Sequence, residues 1–566
     1  MEEDSSVDQL SAQAPLSRNP LSAFVLVCLL CIALYLMGLG SWGLFDPDEG
    51  RYAEIPREMV QTGDWVTPRL DYVKYFEKPP LVYWLVAGTM TLFGENEYAA
   101  RLGCAIPAVC GILFVFWFTR RLAGVRPAFL ASVILGTSLI YLGVGHVVTT
   151  DMLLSVLMAA AGLVWWLGSE ERRWGQYLAA GVLLAGATLA KGPVAVVLMG
   201  GAMLIYMAWT KRWAGLLCRQ MIAALAVFAA LALPWFILVM QRNSDFAHFF
   251  FWVQHVERFS NPTGEHSKPP WWFLLILIGG LIPYTAYLPA AVRHAWSGDA
   301  EAEPGRSGRL KLWLLIWSAV IFVFFSASSC KLMPYILPIF PTLAILLGVY
   351  FADVEAGQAG FPRFATALTG VAVIVLGAIG SLFAKRAQDI PYDLLRPHAN
   401  AMTAVLCLTG VILLAAAARR IQPFRALAVG ALAFEIAVLG TIPVATPYKS
   451  LRDMCLDVRA KLQPDDLVAE YQCLNQSVCF YLQRRVILLS GDHPFGSECL
   501  FGYQSEPEAT KFWGRESDAA VEELLRGPQR VWMLVPQKNW LEFQNRFAGL
   551  YKYANSNADR IFVVNR

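Results

Sequence analysis

Long apolar runs alternate with short polar segments from residue 22 to residue 446. The first run covers 22–44 and the last covers 424–444, and runs such as 126–146 and 271–292 lie between them. A helix that crosses a bilayer needs about 20 mostly apolar residues, and most of these runs approach that length. The pattern therefore predicts a polytopic α-helical membrane protein with about 13 transmembrane helices.

One apolar run, Leu81–Phe93, decides the topology, because counting it as a span would change the side of every later loop. If it spanned, the membrane would also separate the charged loop before it from Asp151. Without it, all the basic loops fall on one face, as the positive-inside rule requires. We therefore predict a juxtamembrane helix at Leu81–Phe93, with the N-terminus in the cytoplasm and the C-terminus outside. The basic loops are Arg120–Arg126, Glu170–Trp174, Lys211–Arg219, Arg293–Lys311 and Arg419–Arg425.

This topology predicts three parts. Residues 1–21 form a polar cytoplasmic tail that leads into an uncleaved first span. Residues 22–446 form the transmembrane domain. Its two large external loops are 44–101, with juxtamembrane helices, and 241–270. Residues 447–566 form a soluble α/β domain in the periplasm, of a size usual for one domain.

The C-terminal part has ordinary mixed charge and short regular patterns. Arg485–Leu489 and Arg530–Val535 are typical of strands, and Asp518–Arg526 is typical of a helix. Four cysteines lie in this part, and an oxidising compartment would permit disulfides between them, with three possible pairings. Free buried thiols are the alternative, and the sequence does not separate the two. The four are Cys455, Cys473, Cys479 and Cys499.

Composition changes the picture in two ways. The chain is 57% hydrophobic and only 16% charged, where a soluble protein carries about a quarter charged residues. Its net charge of +3, without basic runs, gives no reason to expect nucleic acid as a partner. The sequence also lacks the glycine-rich phosphate loop of nucleotide-driven transporters.

Candidate chemistry gathers at one predicted face. The loop Phe45–Pro80 is dense in carboxylates, cations and aromatic rings, and Asp151, Lys191 and Tyr335 lie at helix ends on the same side. Lys and Arg at headgroup level bind phosphate, and carboxylates beside them orient hydroxyl or amino groups. The pattern therefore indicates a lipid-phosphate substrate. The alternatives are a solvated loop, a lysine reaching the headgroups, and an N-cap role for Asp151.

Several segments carry a resemblance to a known family. They are DPDEGRYAEIPREMVQTGDWVTPRLDYVKYFEKPPLVYWL from Asp46, Asp151 itself, AKG around Lys191, FFWVQHVERF from Phe250, and KLMPYILP from Lys331. Over residues 20–350 the chain resembles the aminoarabinose transferases that modify lipid A, which are membrane glycosyltransferases with the GT-C fold. The protein O-mannosyltransferases are more distant relatives in the same broad family. At Gly50 the loop offers no side chain to contact the sugar.

The resemblance implies roles for particular residues. Asp48 and Asp151 would be the catalytic carboxylates. The residues that would bind the substrate and the carrier phosphate are Arg51, Tyr75, Glu77, Lys78, Lys191, Arg258 and Tyr335. Glu77 and His255 would be the ligands of a possible divalent metal. The alternative for His255 is an ordinary hydrogen-bonded histidine. The resemblance implies no other cofactor.

The function expected from this resemblance is transfer of 4-amino-4-deoxy-L-arabinose from undecaprenyl phosphate to a lipid A phosphate. The enzyme would be a monomer in the bacterial inner membrane, with its active site in the periplasm, and would confer resistance to polymyxin. One alternative is a transferase of the same fold that uses another lipid-linked sugar, another glycan acceptor, or protein Ser/Thr. A second alternative is a transporter of the lipid-linked sugar, although transporters place their charges near the membrane midplane in repeated halves.

Overall fold

The computed structural model describes residues 19–215, 218–257, 267–297, 305–386, 390–489 and 518–565. Arg258, Cys499 and nearly all of the predicted tail 1–21 lie outside these ranges.

Helices dominate the chain as far as Arg459. The α-helices in this part are α1 (Pro20–Cys31), α2 (Asp48–Thr62), α3 (Leu81–Phe93), α4 (Glu97–Ala123), α5 (Val125–Gly136), α6 (Leu139–Gly145), α7 (Thr150–Glu171), α8 (Trp174–Lys191), α9 (Val194–Thr210), α10 (Arg219–Arg242), α11 (Trp272–Gly280), α12 (Leu288–Ser297), α13 (Arg306–Ala327), α14 (Phe340–Glu355), α15 (Arg363–Ala384), α16 (Tyr392–Arg419), α17 (Phe424–Lys449) and α18 (Arg452–Arg459). Irregular helical turns occur at Ile32–Leu36, His248–Glu257, Thr285–Tyr287 and Met333–Ile339.

The polytopic helical architecture is confirmed, while the number of spans stays a prediction. Within the described ranges, eight helices are long and apolar enough to cross a membrane, or up to ten if each bent pair is one span. A total of about 13 would also require shorter or less apolar helices to span, namely α8, α9 and the first helix with its extension to Leu36.

Two runs that were predicted as continuous helices are broken. The run 126–146 bends by 63° between α5 and α6, where the Thr137 and Ser138 hydroxyls donate to carbonyls one turn earlier. Such bonds compete with the helical ladder and favour a bend. The run 271–292 turns by 110° around Pro283, which has no backbone N–H to continue a helix.

The predicted helix at Leu81–Phe93 is present with those bounds as α3. Its 13 residues rise about 20 Å, which is short of the bilayer's apolar thickness of about 30 Å. It packs closely on α4, where a Cβ on Gly103 would lie 2.6 Å from a methyl carbon of Val86. Its depth in the membrane stays a prediction.

Arg101 of α4 fixes the start of the first loop. Its guanidinium is fully buried and forms a fork with Glu49, with Nε and Nη2 each 2.8 Å from a carboxylate oxygen. The remaining donor positions reach the carbonyls of Leu39, Trp42 and Gly43. Because every bond ends on the segment before α2 or on its second residue, Arg101 sets where α2 begins.

The C-terminal part contains a five-stranded mixed sheet. Its strands are β3 (Leu467–Tyr471), β4 (Val486–Leu489), β5 (Val531–Pro536), β6 (Lys552–Ser556) and β7 (Arg560–Val564), while β1 (Arg69–Leu70) and β2 (Val73–Lys74) form a hairpin in the first loop. The order in the sheet is β4-β3-β5-β7-β6, with β3 parallel to both neighbours and β7 antiparallel to both of its own. Helices α19 (Gln476–Leu482), α20 (Asp518–Arg526) and α21 (Trp540–Arg546) complete the part that is described.

Both strand predictions and the helix at Asp518–Arg526 are confirmed in this sheet domain. The predicted boundary after residue 446 falls inside a helix, because α17 continues to Lys449. Cys455, Cys473 and Cys479 are free thiols in the structure. Pairings that involve Cys499 lie outside the described residues.

Candidate functional site

A cavity of about 420 Å³ lies at the ends of α7 and α8. It brings together residues from the first loop, both helices, the turn before α14 and the segment after α10. Its described polar lining residues are Glu77, Lys78, Asp151, Lys191, Gln254, His255, Ser328, Cys330 and Tyr335. Six of them were singled out from the sequence, although they are separated by as much as 258 positions along the chain.

Asp151 and Lys191 form the charged centre of this cavity. Asp151 lies in the first turn of α7 and Lys191 is the last residue of α8, so the antiparallel pair of helices brings both to the same end. Lys191 Nζ donates directly to Asp151 Oδ1, and each side chain is 13% exposed. The suggested N-cap role for Asp151 is wrong, because Thr149 occupies the N-cap position.

Tyr335 completes this centre from the opposite side. Lys191 Nζ lies 4.6 Å from the centroid of the Tyr335 ring, a cation–π distance. The Tyr335 ring in turn packs on Phe325 at 5.0 Å between centroids. The lysine is therefore held between a carboxylate and a ring face, and its position is fixed before a substrate arrives.

Glu77 and Lys78 bring the first loop into the cavity. Glu77 is 3% exposed, and its Oε1 atom is buried without a hydrogen-bond partner among the described residues. An orphaned buried acceptor is costly unless something binds it, so Glu77 presents a ready acceptor to a ligand. Lys78 Nζ donates to the backbone carbonyl of Glu77 at 3.1 Å, and both residues line the cavity.

Arg51 and Tyr75 lie behind Glu77 and are not among the residues that line the cavity. Arg51 Nη1 donates to the Tyr75 hydroxyl at 3.1 Å and lies 3.8 Å from Glu77 Oε2. Burial raises the pKa of Tyr75 well above its ordinary value, so its hydroxyl stays protonated at neutral pH. Both residues thus support the position of Glu77.

Asp48 is the first residue of α2 and is exposed, outside the described lining of the cavity. Its proximity to the site shows at Tyr52, one turn further along α2. Burial raises the pKa of the Tyr52 hydroxyl, and the charges of Asp48, Glu77 and Asp151 raise it further, while Arg51 lowers it. The three carboxylates therefore act on one buried hydroxyl, with Asp48 at the outer edge.

His255 lies against the backbone beside Lys191. Its Nδ1 is 2.5 Å from the Phe250 carbonyl, and a Cβ on Gly192 would lie 3.0 Å from its Nε2. Gly192 has φ +102°, a conformation that favours glycine, so the close approach of the imidazole and the backbone path agree. Arg258, three residues later, lies outside the described ranges.

The predicted metal pair shares the cavity, since both Glu77 and His255 line it. A carbonyl at Nδ1 is the usual outer support of a metal-binding histidine, and Glu77 Oε1 accepts no hydrogen bond from the residues that the structure describes. Among the described residues, however, no group of three or more His, Cys, Asp or Glu side chains could hold a metal ion. A metal here would have to take its remaining ligands from substrate or water, and the pair stays a prediction.

Apolar side chains form the other wall of the cavity. They come from α7, α9 and α13, with Pro193 just before α9 and Val256 in the segment after α10, and Val197 and Val256 are exposed. This wall offers an apolar path that ends at the Lys191 ammonium, an arrangement suited to a long-chain lipid with an anionic head. The apolar lining consists of Leu154, Pro193, Val194, Val197, Val256, Phe324 and Phe325.

Sequence reasoning missed one contact that positions the site. Ser477 of α19 donates its backbone N–H to Asp46 Oδ1 at 2.8 Å and its hydroxyl to Asp46 Oδ2. A Cβ on Gly50 would lie 2.4 Å from Ser477 N, so only glycine lets α19 pack this closely on α2. Gly50 was the sequence signal for this close packing. From the sequence alone it indicated only that no side chain contacts the sugar at this position.

The comparisons with known proteins identify the family of the chain. The family model for dolichyl-phosphate-mannose-protein mannosyltransferase matches residues 77–240, which hold Glu77, Lys78, Asp151 and Lys191. The undecaprenyl phosphate-α-4-amino-4-deoxy-L-arabinose arabinosyl transferase 2 of Pseudomonas fluorescens is 32% identical over 77% of this chain and 77% of its own length. The chain belongs to this arabinosyl transferase family.

Two further relatives are each named undecaprenyl phosphate-α-4-amino-4-deoxy-L-arabinose arabinosyl transferase. The one from Edwardsiella ictaluri is 36% identical over 62% of this chain, and the one from Erwinia tasmaniensis is 35% identical over 61%. These matches span 64% and 62% of the relatives' own lengths. Together with the apolar helices, they make the chain a multi-pass protein of the inner membrane.

The solved structures extend the likeness to nearly the whole chain. ArnT from Cupriavidus metallidurans, in a crystal structure bound to undecaprenyl phosphate, has a TM-score of 0.79 at 28% identity and covers 96% of this chain and 98% of its own. The apo oligosaccharyltransferase of Archaeoglobus fulgidus shares the fold alone, with a TM-score of 0.51, 13% identity, and coverage of 96% and 74%. The predicted GT-C fold with a C-terminal sheet domain is confirmed.

Proposed function

We propose that this protein transfers 4-amino-4-deoxy-L-arabinose from undecaprenyl phosphate to a phosphate of lipid A on the periplasmic side of the inner membrane. The observation that carries the proposal is the cavity in which Lys191, held by Asp151 and Tyr335, meets Lys78 and Glu77 beside an apolar wall. Undecaprenyl phosphate combines a long apolar chain with an anionic head. The similar structure of ArnT from Cupriavidus metallidurans, which was solved bound to undecaprenyl phosphate, supports the same assignment.

The positively charged side chains of the cavity suit the leaving group, undecaprenyl phosphate. When an oxygen of the lipid A phosphate attacks C1 of the sugar, the bond from C1 to the carrier phosphate breaks and undecaprenyl phosphate gains a negative charge. Positively charged donors placed where charge develops are usually the largest contribution to such catalysis. Lys78 and Lys191 supply two of them, and Arg258 is proposed as a third.

The carboxylates suit the sugar and its orientation. The sugar carries an amino group, and Glu77 Oε1 is a buried acceptor that no described protein group occupies. We assign Glu77 to this amine or a neighbouring hydroxyl, and Asp48 at the outer edge to orienting the incoming acceptor. A phosphate acceptor is already ionised at neutral pH, so no general base has to remove a proton. The rate should therefore vary little between pH 6 and 8, and a steep acid limb with a carboxylate pKa would contradict this role.

The experiment that tests the function is mass spectrometry of lipid A from a polymyxin-sensitive strain that lacks its own transferase. The strain is complemented with this chain or with its Asp48→Ala or Asp151→Asn variant. The proposal predicts a mass gain of one aminopentose with the wild-type chain, lost with either variant, together with a gain in polymyxin resistance that is also lost.

The alternatives are separate outcomes of the same comparison. Unmodified lipid A from well-expressed, membrane-inserted protein would move the assignment to another sugar or another acceptor. Movement of labelled lipid-linked sugar across liposomes without transfer would identify a transporter instead.

A further inference from the structure

A second cavity, of about 570 Å³, lies at the far end of the same helices. Helix α7 carries Asp151 in its first turn and Glu170 near its end, a rise of about 28 Å at 1.5 Å per residue. The two cavities therefore belong to opposite membrane faces. The second one lies at the face of the basic loops. Its lining includes Trp165, Glu170, Arg172, Tyr206, Arg212 and Arg309.

Positive charge exceeds negative charge in this lining. Glu170 is the acid, and its side chain, 4% exposed, is already used by two arginines: Arg212 Nη1 lies 2.6 Å from Oε1, and Arg309 Nε lies 3.0 Å from Oε1. Arg172, at the C-cap of α7, adds a third guanidinium. Two arginines share one carboxylate and a third adds its charge, so the cavity favours an anion. Arginine forks fit the oxygens of a phosphate.

Trp165 points to a ligand independently of the charges. It lines the cavity, is 1% exposed, and its indole N–H has no acceptor among the described residues. A buried indole usually finds a partner for its N–H, and an unmade hydrogen bond of this kind costs about 1–3 kcal/mol. An acceptor oxygen brought by a bound molecule would satisfy it.

The lining is also amphipathic. The rings of Trp165 and Tyr206 pack together at 6.2 Å between centroids, and both residues are buried, whereas Arg172 and Arg212 are exposed at the rim. A pocket of this size, with an apolar floor and a cationic rim, accommodates the head and upper chain region of a lipid. Anionic lipids attract such arginines in the leaflet that faces basic loops.

We infer that this cavity binds the phosphate headgroup of an anionic lipid in the leaflet opposite the candidate active site. The ligand chemistry is a phosphate ester with attached acyl chains. A water-soluble phosphate would offer the same oxygens without the chains, so the test below separates these two sources. The inference does not depend on the proposed transferase activity, since none of these residues lines the first cavity.

The test is native mass spectrometry of the full-length protein in micelles titrated with phosphatidylglycerol or phosphatidylcholine. The inference predicts one phosphatidylglycerol retained with a Kd at least about tenfold below that of phosphatidylcholine, because the choline cation cancels the charge of the phosphate that both lipids carry. Arg172→Gln should remove this preference. Arg173→Gln is the matched control, because Arg173 is the neighbouring arginine, 70% exposed, and lies outside the cavity lining.

A Lys191→Met variant should keep the preference, because that change affects only the first cavity. Equal binding of the two lipids, an unchanged Kd in Arg172→Gln, or the same loss in Arg173→Gln would each overturn the inference. Displacement of the lipid by excess inorganic phosphate would contradict the lipid source and assign the cavity to a soluble phosphate compound. Retention of phosphatidylglycerol under that excess supports the lipid. Unchanged thermal unfolding in phosphatidylcholine would show that each variant is folded.

Discussion

Ser477 of the C-terminal sheet domain donates two hydrogen bonds to Asp46, which lies two residues before the catalytic candidate Asp48. Its backbone N–H lies 2.8 Å from Asp46 Oδ1, and its hydroxyl donates to Oδ2. Asp46 lies two residues before α2, whose first turn carries Asp48 and Arg51. The C-terminal domain therefore holds the start of the helix that presents these residues, although none of its described residues lines the cavity.

Removing the Ser477 hydroxyl should weaken this contact with Asp46. Ser477→Ala is expected to lower kcat/KM roughly tenfold, since a hydrogen bond to a charged group contributes about 1.5–3 kcal/mol. Burial raises the pKa of Asp46 to about 6, and the Ser477 bonds oppose that rise. Loss of the hydroxyl bond should therefore raise the Asp46 pKa further. Ser477→Thr, which keeps a hydroxyl, should restore kcat/KM; an unchanged kcat/KM in Ser477→Ala would contradict the positioning role.

A side chain at Gly50 should disrupt the same contact by steric clash. The added Cβ of Gly50→Ala would lie 2.4 Å from Ser477 N and 2.4 Å from Asp46 Oδ1, which forces α19 away from α2. We expect loss of most transfer activity and faster proteolysis between the two domains. Gly88→Ala in α3 is the matched control, because a Cβ there meets nothing within 4 Å. Equal effects of the two substitutions would show that the contact is unimportant.

Asp151 and Lys191 should behave as one unit. Asp151→Asn and Lys191→Met are each expected to lower kcat/KM by about 10²–10³, the loss seen when a charge-stabilising group is removed. The double variant should lose far less transition-state stabilisation than the two single losses added together, because each single change already breaks the shared interaction. Asp64→Asn, which removes the charge of a partly exposed ion pair with Arg242, should change the rate less than about twofold. Fully additive losses in the cycle would rule out coupling.

Asp71 should make the docking of the C-terminal domain depend on pH. Burial raises its pKa from 3.8 to about 8, opposed by the Val486 N–H and the charge of Arg485, while Glu54 raises it. The folded state therefore binds the proton more tightly than the unfolded state. The contribution of Asp71 to the stability of the fold is therefore greatest below about pH 4, and it is lost as pH rises through about 8.

The measurement is the unfolding temperature of purified protein across that range. Asp71→Asn mimics the protonated carboxyl and retains an acceptor for the Val486 N–H, so its unfolding temperature should decline less toward pH 8. Glu58, Glu54 and Cys479 also face Asp71 and are unchanged in the variant. Parallel curves for the two proteins would contradict the assignment to Asp71.

Arg101 should be the most destabilising single position in the first loop. Arg101→Met leaves Glu49 buried without its fork and frees three backbone carbonyls, a change that costs about 3–5 kcal/mol. Arg120→Met, at an exposed position of the same helix, should stay within about 0.5 kcal/mol. The free energy of unfolding in mixed micelles measures both. A loss below about 1 kcal/mol in Arg101→Met would show that the anchor is not structural.

The sequence predicted the cavity because its chemistry is visible locally. Polar residues that interrupt apolar runs are visible in the sequence, so Asp151, Lys191 and Tyr335 stood out. The topology then placed them on one face with Glu77. The bounds of helix α3 were also predictable, since they coincide with the ends of the apolar run Leu81–Phe93.

Other features depend on tertiary contacts that no local pattern records. The bend before α6 depends on two hydroxyls that bond backward, and such residues also occur in straight helices. The hydrogen bond from Ser477 to Asp46 joins positions that are 431 residues apart. Gly50 could be noticed in the sequence, but its reason, the approach of Ser477, appears only in the fold.

The most direct test of the central claim is a transfer assay with purified protein in liposomes that contain the undecaprenyl-phosphate-linked aminoarabinose and lipid A. Wild-type protein and the Asp64→Asn control should add one aminopentose to lipid A and release one undecaprenyl phosphate for each transfer. Asp151→Asn should do neither at a comparable rate. Transfer by Asp151→Asn at the wild-type rate would contradict the claim that the reaction takes place in the Asp151–Lys191 cavity.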